Sequence, residues 1–284
     1  MYSKTLRKLF THPSTAIIMI RQFTTGRRWA CPNCGVIHRP EVHNTDHRGV
    51  ITYRCNHCSK TFSELYGTIF YKSKVPLDIW CKAIIFWINS TGSISAKELE
   101  RNLEISYPTA WKLLMKIRRY LHDSMNDEDL LSGIVEADEA WFGKKENQDI
   151  VMGIVERNRR KLILIQIPNV KESTLYPHIL NHVEKGSKFF TDQRITYYVT
   201  GIYYDHRTTN HSKGEFARNN VHSNTIEQIW GDIKGIIRTI HHGISKKYRH
   251  LYLAQYTFKY MYSHCYNFFN LVLSQIFSPT YCLY

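Results

Sequence analysis

Four cysteines in two tight pairs constrain this chain more than any other feature. Cys31-Pro-Asn-Cys34 and Cys55-Asn-His-Cys58 are separated by 20 residues, among them the strand-like stretch GVITYRC (49–55) that can carry the chain back on itself. Each knuckle places two thiolates on one side of an ion, and two knuckles complete a tetrahedron, which is the spacing of a zinc ribbon. All four positions are then filled by protein sulfur. One structural Zn²⁺ on Cys31, Cys34, Cys55 and Cys58 is therefore expected, with no site for a reactive water. His38, His43, His47 and His57 lie within reach as substitute ligands, but histidines in an exposed basic segment are more readily solvated. Cys81, Cys265 and Cys282 bring the total to seven, an odd number that does not suit a disulfide framework and argues for an intracellular chain. Around the knuckles, Tyr53, Arg54, Lys60 and Phe62 supply cationic and aromatic groups suited to lie against phosphates.

Charge points to the same class of partner. Lys and Arg exceed Asp and Glu by 38 − 24 = 14, and seven basic residues precede the first acid, Glu41. A polyanion is the expected partner, and residues 1–24 read as a basic arm that contacts DNA. The same acid-poor start resembles an organelle transit peptide, although no cleavage signal follows it. The longest apolar runs, AIIMI (16–20) and AIIFWI (83–88), are too short to span a bilayer, so a soluble protein without a membrane partner is expected.

Between the ribbon (25–72) and an acidic turn at 122–130, three helical patterns follow one another. Residues 77–90, 95–103 and 105–121 carry apolar residues at helical spacing, with a tight turn at Leu103 to Ser106. Residues 73–122 thus read as a helix-turn-helix, whose last helix is capped by Ser106 and tolerates Pro108 in its first turn. Its exposed side would offer Thr109, Lys112, Lys116, Arg118 and Arg119 to DNA. A plain three-helix bundle with a basic surface is the alternative.

Beyond the acidic turn the period changes from helix to strand. Residues 133–143, 149–158 and 161–169 read as a three-strand meander, 173–183 as a helix, and 188–193 as a further strand ending in Asp192. An α/β fold with helices covering a mixed sheet is the expected class. Asp138 lies inside the first strand, where a carboxylate is costly without a partner. The segment HSNTIEQIWGDIKGIIR (222–238) reads as a helix that buries Ile226, Ile229, Trp230, Ile233 and Ile237. Glu227, Gly231, Lys234 and Arg238 form a second stripe along its edge. If the strands of Asp138 and Asp192 are neighbours, this helix can bring Glu227 to both. Clustered carboxylates suit Mg²⁺ or Mn²⁺, and two such ions about 4 Å apart can hold the attacking and leaving oxygens of a phosphodiester. On that reading Gly231 gives clearance, while Lys234 and Arg238 meet the DNA backbone. Glu136 and Glu139 flank Asp138 and are expected to tune the site rather than bind metal; Asp205 reads as structural. The histidines at 206, 211, 222, 241 and 242 show no zinc-hydrolase spacing.

These segments, VEADEAWFGKK (135–145), FTDQ (190–193) and the helix at 222–238, behind a zinc ribbon and a helix-turn-helix, resemble the DDE transposases of the Merlin superfamily and related bacterial insertion sequences. The resemblance runs from about residue 25 to residue 270. It implies an RNase H-like catalytic domain over 131–275 with Asp138, Asp192 and Glu227 as its acids and Lys234 as the basic residue after the third. The 34 residues between Asp192 and Glu227 agree with it. Some relatives use Asn as third ligand, and Asn224 lies one turn before Glu227; a full negative charge favours Glu227. The implied activity is cut-and-paste transposition: two Mg²⁺ ions per site, cleavage at terminal inverted repeats, joining to target DNA, and a homodimer or larger synaptic assembly. It also implies residence with the genome, in a nucleus or a bacterial nucleoid. A domesticated DNA-binding factor and a nuclease that cuts without joining are the alternatives.

If the basic residues meet phosphates, affinity for terminal-repeat DNA should fall by about 10³-fold between roughly 50 and 200 mM salt, through counterion release. Fluorescence anisotropy across a salt series measures this, and a flat profile would remove the phosphate-contact reading.

Overall fold

The computed structural model describes residues 15–24, 30–125, 129–144, 148–192, 201–209 and 224–277. The chain divides into two compact units, residues 1–124 with 266–284 and residues 125–265.

In the first unit, helix α1 (Thr15–Thr24) precedes a three-stranded antiparallel ribbon of β1 (Glu41–Thr45), β2 (Ile51–Arg54) and β3 (Thr61–Ser63). The arm expected over residues 1–24 is, in its described part, a packed helix. Ala16, Ile17, Met19 and Ile20 of the AIIMI run are buried, and α1 packs on the helix over 77–89 and on the last described helix, Phe268–Phe277. Its one cation, Arg21, is ion-paired with Glu64 at 2.7 Å, and the same carboxylate accepts from the amide of Ile51 at 2.6 Å. That charge is therefore spent on holding α1 to the ribbon. Residues 1–14 lie outside the described residues.

Helices α2 (Leu77–Asn89), α3 (Ala96–Leu103) and α4 (Tyr107–Ser124) match the expected helix-turn-helix. Ser95 caps α3 by accepting from the Glu98 amide at 3.1 Å, and Glu104, in the left-handed region at φ 53°, ends it. Ser106 precedes α4, with its hydroxyl bonded to that of Thr109 at 2.9 Å. Along α4, Lys112 and Arg119 are exposed, seven residues apart. Two other basic residues assigned to the DNA face are not on it. Arg118 follows Leu114 by four positions and precedes Leu121 by three, so it falls in the apolar stripe and is 1% exposed, with Nη1 3.6 Å from Met115 Sδ. Lys116 is half-buried, donating to the Tyr71 carbonyl at 3.3 Å with its ammonium over the Trp80 ring. Trp80 also donates to Ser73 Oγ at 2.8 Å and meets Phe70 edge-on. The ribbon's tail and the three helices thus share one core. The helix Phe268–Phe277 joins them, burying Val272, Leu273 and Ile276 and packing on α1 and α4. The domain boundary expected at 275 falls near 265 instead, because this helix packs with the N-terminal unit.

The second unit is a five-stranded sheet in the order β6-β5-β4-β7-β8. Strands β4 (Ile134–Phe142), β5 (Asp149–Glu156) and β6 (Lys161–Ile167) form the expected antiparallel meander. Strand β7 (Lys188–Asp192) runs parallel beside β4, and β8 (Asp205–Thr209) runs parallel beside β7. Helix α5 (Glu172–His182) covers one face through Leu175 and Ile179 over Val135, Ala137, Ile154 and Phe189. On the other face, α6 (Asn224–Thr239) sets Ile226, Ile229, Trp230 and Ile233 over Ala140, Phe142, Val151 and Val155, and Leu253 of α7 (Arg249–Tyr262) joins that core. This is the RNase H-like arrangement: three antiparallel strands with two more added parallel to the first.

Gly153 sits in the middle of β5, opposite Asp138. A Cβ there would lie 2.6 Å from the Trp230 ring and 2.7 Å from Ile226. The close approach of α6 depends on that missing methyl. Gly153→Ala should therefore destabilise the fold by about 1–3 kcal/mol through overpacking, outweighing the ordinary preference for Ala in a strand. Urea unfolding followed by fluorescence reads the change, and an unaltered midpoint would mean that α6 lifts without loss.

Candidate active site and zinc centre

In the ribbon, Cys31 and Cys58 sulfurs lie 3.6 Å apart and Cys34 and Cys55 sulfurs 3.8 Å apart, with all four within 4.8 Å of one another. Zinc–sulfur bonds of about 2.3 Å in a tetrahedron give edges of about 3.8 Å, so the four sulfurs fit one zinc. Both knuckles use the same turn. The carbonyl of the first cysteine accepts from Gly35 (2.8 Å) or Ser59 (2.9 Å), both in the left-handed region, and its sulfur accepts an amide two or three residues on at 3.4 Å. His38 Nε2 stands 3.0 Å from Cys55 Sγ, beside the four ligands rather than among them. Burial opposes ionisation of Cys55, but the amides of Cys58 and His57 together with His38 overcome it and bring the thiol down to about 5. His43, His47 and His57 are exposed, as are Arg54 and Lys60. Phe62, expected to face phosphate, is buried against Cys31 and Cys55.

On the α6 side of the sheet, β4 presents Glu136, Asp138, Ala140 and Phe142, because alternate residues of a strand share a face. Asp138 is half-buried, and its Oδ2 accepts from the indole Nε1 of Trp230 at 3.1 Å. Glu136 is fully buried. Its Oε2 accepts from the amide of Ile226 at 3.0 Å, and its other oxygen pairs with Arg157, whose guanidinium covers Phe190 at 4.9 Å. A carboxylate at the first turn of a helix satisfies an orphan donor and meets the positive end of the dipole. Glu136 is thus the anchor of α6. Glu139 has the parity of Val135 and Ala137 and is buried on the opposite face. Asp205 begins β8 and pairs with Arg207 at 2.9 Å.

Asp192 closes β7. The β4–β7 register pairs Ile134 with Lys188, Val135 with Phe189 and Glu136 with Phe190; Asp138 and Asp192 lie two residues beyond the paired stretch on their two parallel strands. On α6, Asn224, Glu227, Gly231, Lys234 and Arg238 are all exposed. At about 100° per residue, Lys234 lies about 40° and Glu227 about 60° around the helix from Trp230, with Asn224 at about 120°. Of the two candidates for third ligand, Glu227 is the nearer to the turn that contacts Asp138. Lys234 Nζ stands 5.9 Å from the Phe142 ring, and among the described residues nothing outside the local helix lies within 4 Å of a Cβ built at Gly231. From sequence, Trp230 has a place in the buried stripe and Glu136 a tuning role, but no part is assigned to the Trp230–Asp138 bond, to Gly153 or to Arg157. The available signals were an indole N–H inside an apolar stripe and a glycine inside a buried strand.

The sheet order defines the class of fold: an RNase H-like unit. Residues 130–261, a little under half of the chain, match the family of the ISXO2-like transposase domain, a match that supports an insertion-sequence transposase. An uncharacterized protein in the transposable element ISH50 of Halobacterium salinarum is 27% identical over 134 residues, 47% of this chain and 43% of that protein. The match therefore spans less than half of the relative. Two solved structures are also similar. One chain of the simian T-cell lymphotropic virus intasome in complex with the PP2A regulatory subunit B56 gamma is 15% identical. The alignment covers 60% of this chain and 67% of that one, with a TM-score of 0.35. The HTLV-2 integrase catalytic core domain in complex with magnesium, in a trimeric form, is 13% identical. There the coverage is 47% of this chain and 88% of that one, with a TM-score of 0.31.

Metal analysis of the purified chain should find one zinc, and Cys55→Ser should lose it together with the ordered ribbon, because binding energy of the metal is folding energy for so small a module. Full zinc content in that variant would contradict the four-sulfur site.

Proposed function

We propose that the protein is a DNA transposase of an insertion sequence, which cleaves at terminal inverted repeats and joins the released 3′ ends to target DNA. The observation that carries this reading is the bond from Trp230 to Asp138, which sets Asp138 of β4 beside the helix turn bearing Glu227, with β7, the strand that ends in Asp192, running parallel to β4. The three acids are a hard-oxygen donor set suited to Mg²⁺ or Mn²⁺. Two such ions, when bound, lower the proton affinity of the attacking water or hydroxyl and stabilise the leaving oxygen. The remaining groups bind and orient DNA. Lys234 and Arg238, on the exposed flank of α6, neutralise the backbone beside the acids. The gap at Gly231 admits the strand. Lys112 and Arg119 on α4, with Arg54 and Lys60 on the ribbon, face the terminal repeat.

Because one acid set serves both cleavage and joining, the working enzyme brings two ends together as a homodimer or larger assembly. The archaeal element of its relative favours a prokaryotic nucleoid over a nucleus as its place of action. Among the described residues no helix is long and apolar enough to cross a membrane.

Ala at Asp138, Asp192 or Glu227 should abolish Mg²⁺-dependent cleavage and joining, a loss of at least about 10³-fold, while leaving repeat-DNA binding intact. Gel-based cleavage and strand-transfer assays on repeat-end duplexes check it, with Asn224→Ala as control. Loss of cleavage in Asn224→Ala but not in Glu227→Ala would transfer the third position to the amide.

A further inference from the structure

Trp230 is unlike its neighbours on the buried stripe of α6. Ile226, Ile229 and Ile233 are wholly apolar, whereas an indole carries an N–H that needs an acceptor once buried. Its acceptor is Asp138, at 3.1 Å. Several features serve that bond. Gly153, opposite Asp138 on β5, leaves room for the ring. Phe142, two same-face steps along β4, meets the indole edge-on at 6.1 Å. Glu136, one same-face step the other way, fixes the first turn of the helix through Ile226.

We infer that Trp230 is the positioning residue of this active site: its indole N–H ties the first acid, Asp138, to the turn of α6 that carries the third, Glu227. The inference rests on the reading of Asp138, Asp192 and Glu227 as metal-holding acids. Carboxylates that will share a cation repel one another before it arrives. Asp138 and Glu227 are 227 − 138 = 89 residues apart in sequence, so chain connectivity does not set their separation. A donor from α6 to Asp138 orients that carboxylate and holds the two elements in one register before metal binds. An isoleucine at position 230 would bury area as well but supply no such tether. Trp230 acts through Asp138 and contacts no reacting group itself.

The test uses the zinc-loaded full chain and calorimetric titration with Mn²⁺, a readout independent of turnover. Two replacements remove the N–H. Trp230→Phe also shrinks the ring, whereas benzothienylalanine, installed at position 230 by nonsense suppression, keeps its size and replaces the N–H by sulfur. Both should weaken Mn²⁺ binding by about 10-fold or more, as loss of a group that orients a metal ligand does. The Mg²⁺ needed for half-maximal cleavage should rise by a similar factor. Repeat-DNA affinity and, for the ring-preserving replacement, thermal melting should stay as in the parent. If the ring-preserving replacement binds Mn²⁺ as tightly as the parent, the N–H positions nothing and the inference is overturned, whatever Trp230→Phe does. Asp138→Ala is titrated alongside. Undiminished Mn²⁺ binding by that variant would overturn the assignment of the acids, a failure distinct from that of the tether.

Discussion

Two carboxylates of β4 and two N–H groups of α6 meet along one seam, and the geometry of the catalytic unit follows from it. Glu136 takes the backbone amide of Ile226, and Asp138 takes the indole of Trp230. Apolar contact is non-directional, so a helix laid on a sheet by isoleucines alone has a poorly fixed slide and rotation. Hydrogen bonds to charged groups are directional and contribute about 1.5–3 kcal/mol each. Removing a partner from a buried ion pair such as Glu136 with Arg157 costs about 3–5 kcal/mol, because the remaining charge is left uncompensated. Helix α6 is thereby pinned at its first and second turns. Glu227 lies between the two pins in sequence.

The N-terminal unit solves a different problem. Its ribbon buries little beyond Cys31, Cys55 and Phe62, which is too small a core to stand without metal. The rest of its attachment comes from polar staples: Arg21 to Glu64, Lys116 to Tyr71, and Trp80 to Ser73. Basic residues are accordingly divided between two tasks. Arg21, Lys116 and Arg118 hold the unit together, while Lys112 and Arg119 face solvent. Net charge counts both groups alike, so it overstates the number of phosphates the surface can meet.

That division marks where the sequence stops being legible. Strands β4 to β6 and helices α2 to α6 follow from periodicity, because a two-sided apolar run or a single apolar stripe has few other uses. Asp138 was visible since a strand interior is a costly place for an acid. Arg118 misled because a long cation at the edge of a stripe ordinarily reaches solvent, and its burial depends on neighbours the local pattern does not name. The AIIMI run of α1 and the helix at 268–277 find each other across more than 240 residues, a pairing without local signature. Strand order is equally non-local: that β7 lies parallel beside β4 depends on the crossover through α5.

Glu136 and Asp138 share a strand and a face, two residues apart, yet their surroundings differ. The first turn of α6 closes over Glu136, excludes water, and obliges its charge to pair with Arg157 and an amide. A carboxylate so satisfied has no capacity to take up a hydrated cation. One same-face step further along β4, coverage is partial, and the acid there is half-buried beside a helix flank whose residues are all exposed. Burial enough to fix a side chain and exposure enough to reach solvent coincide at that step. The seam therefore does more than hold the helix: by setting where coverage ends, it decides which of two neighbouring acids stays open to solvent.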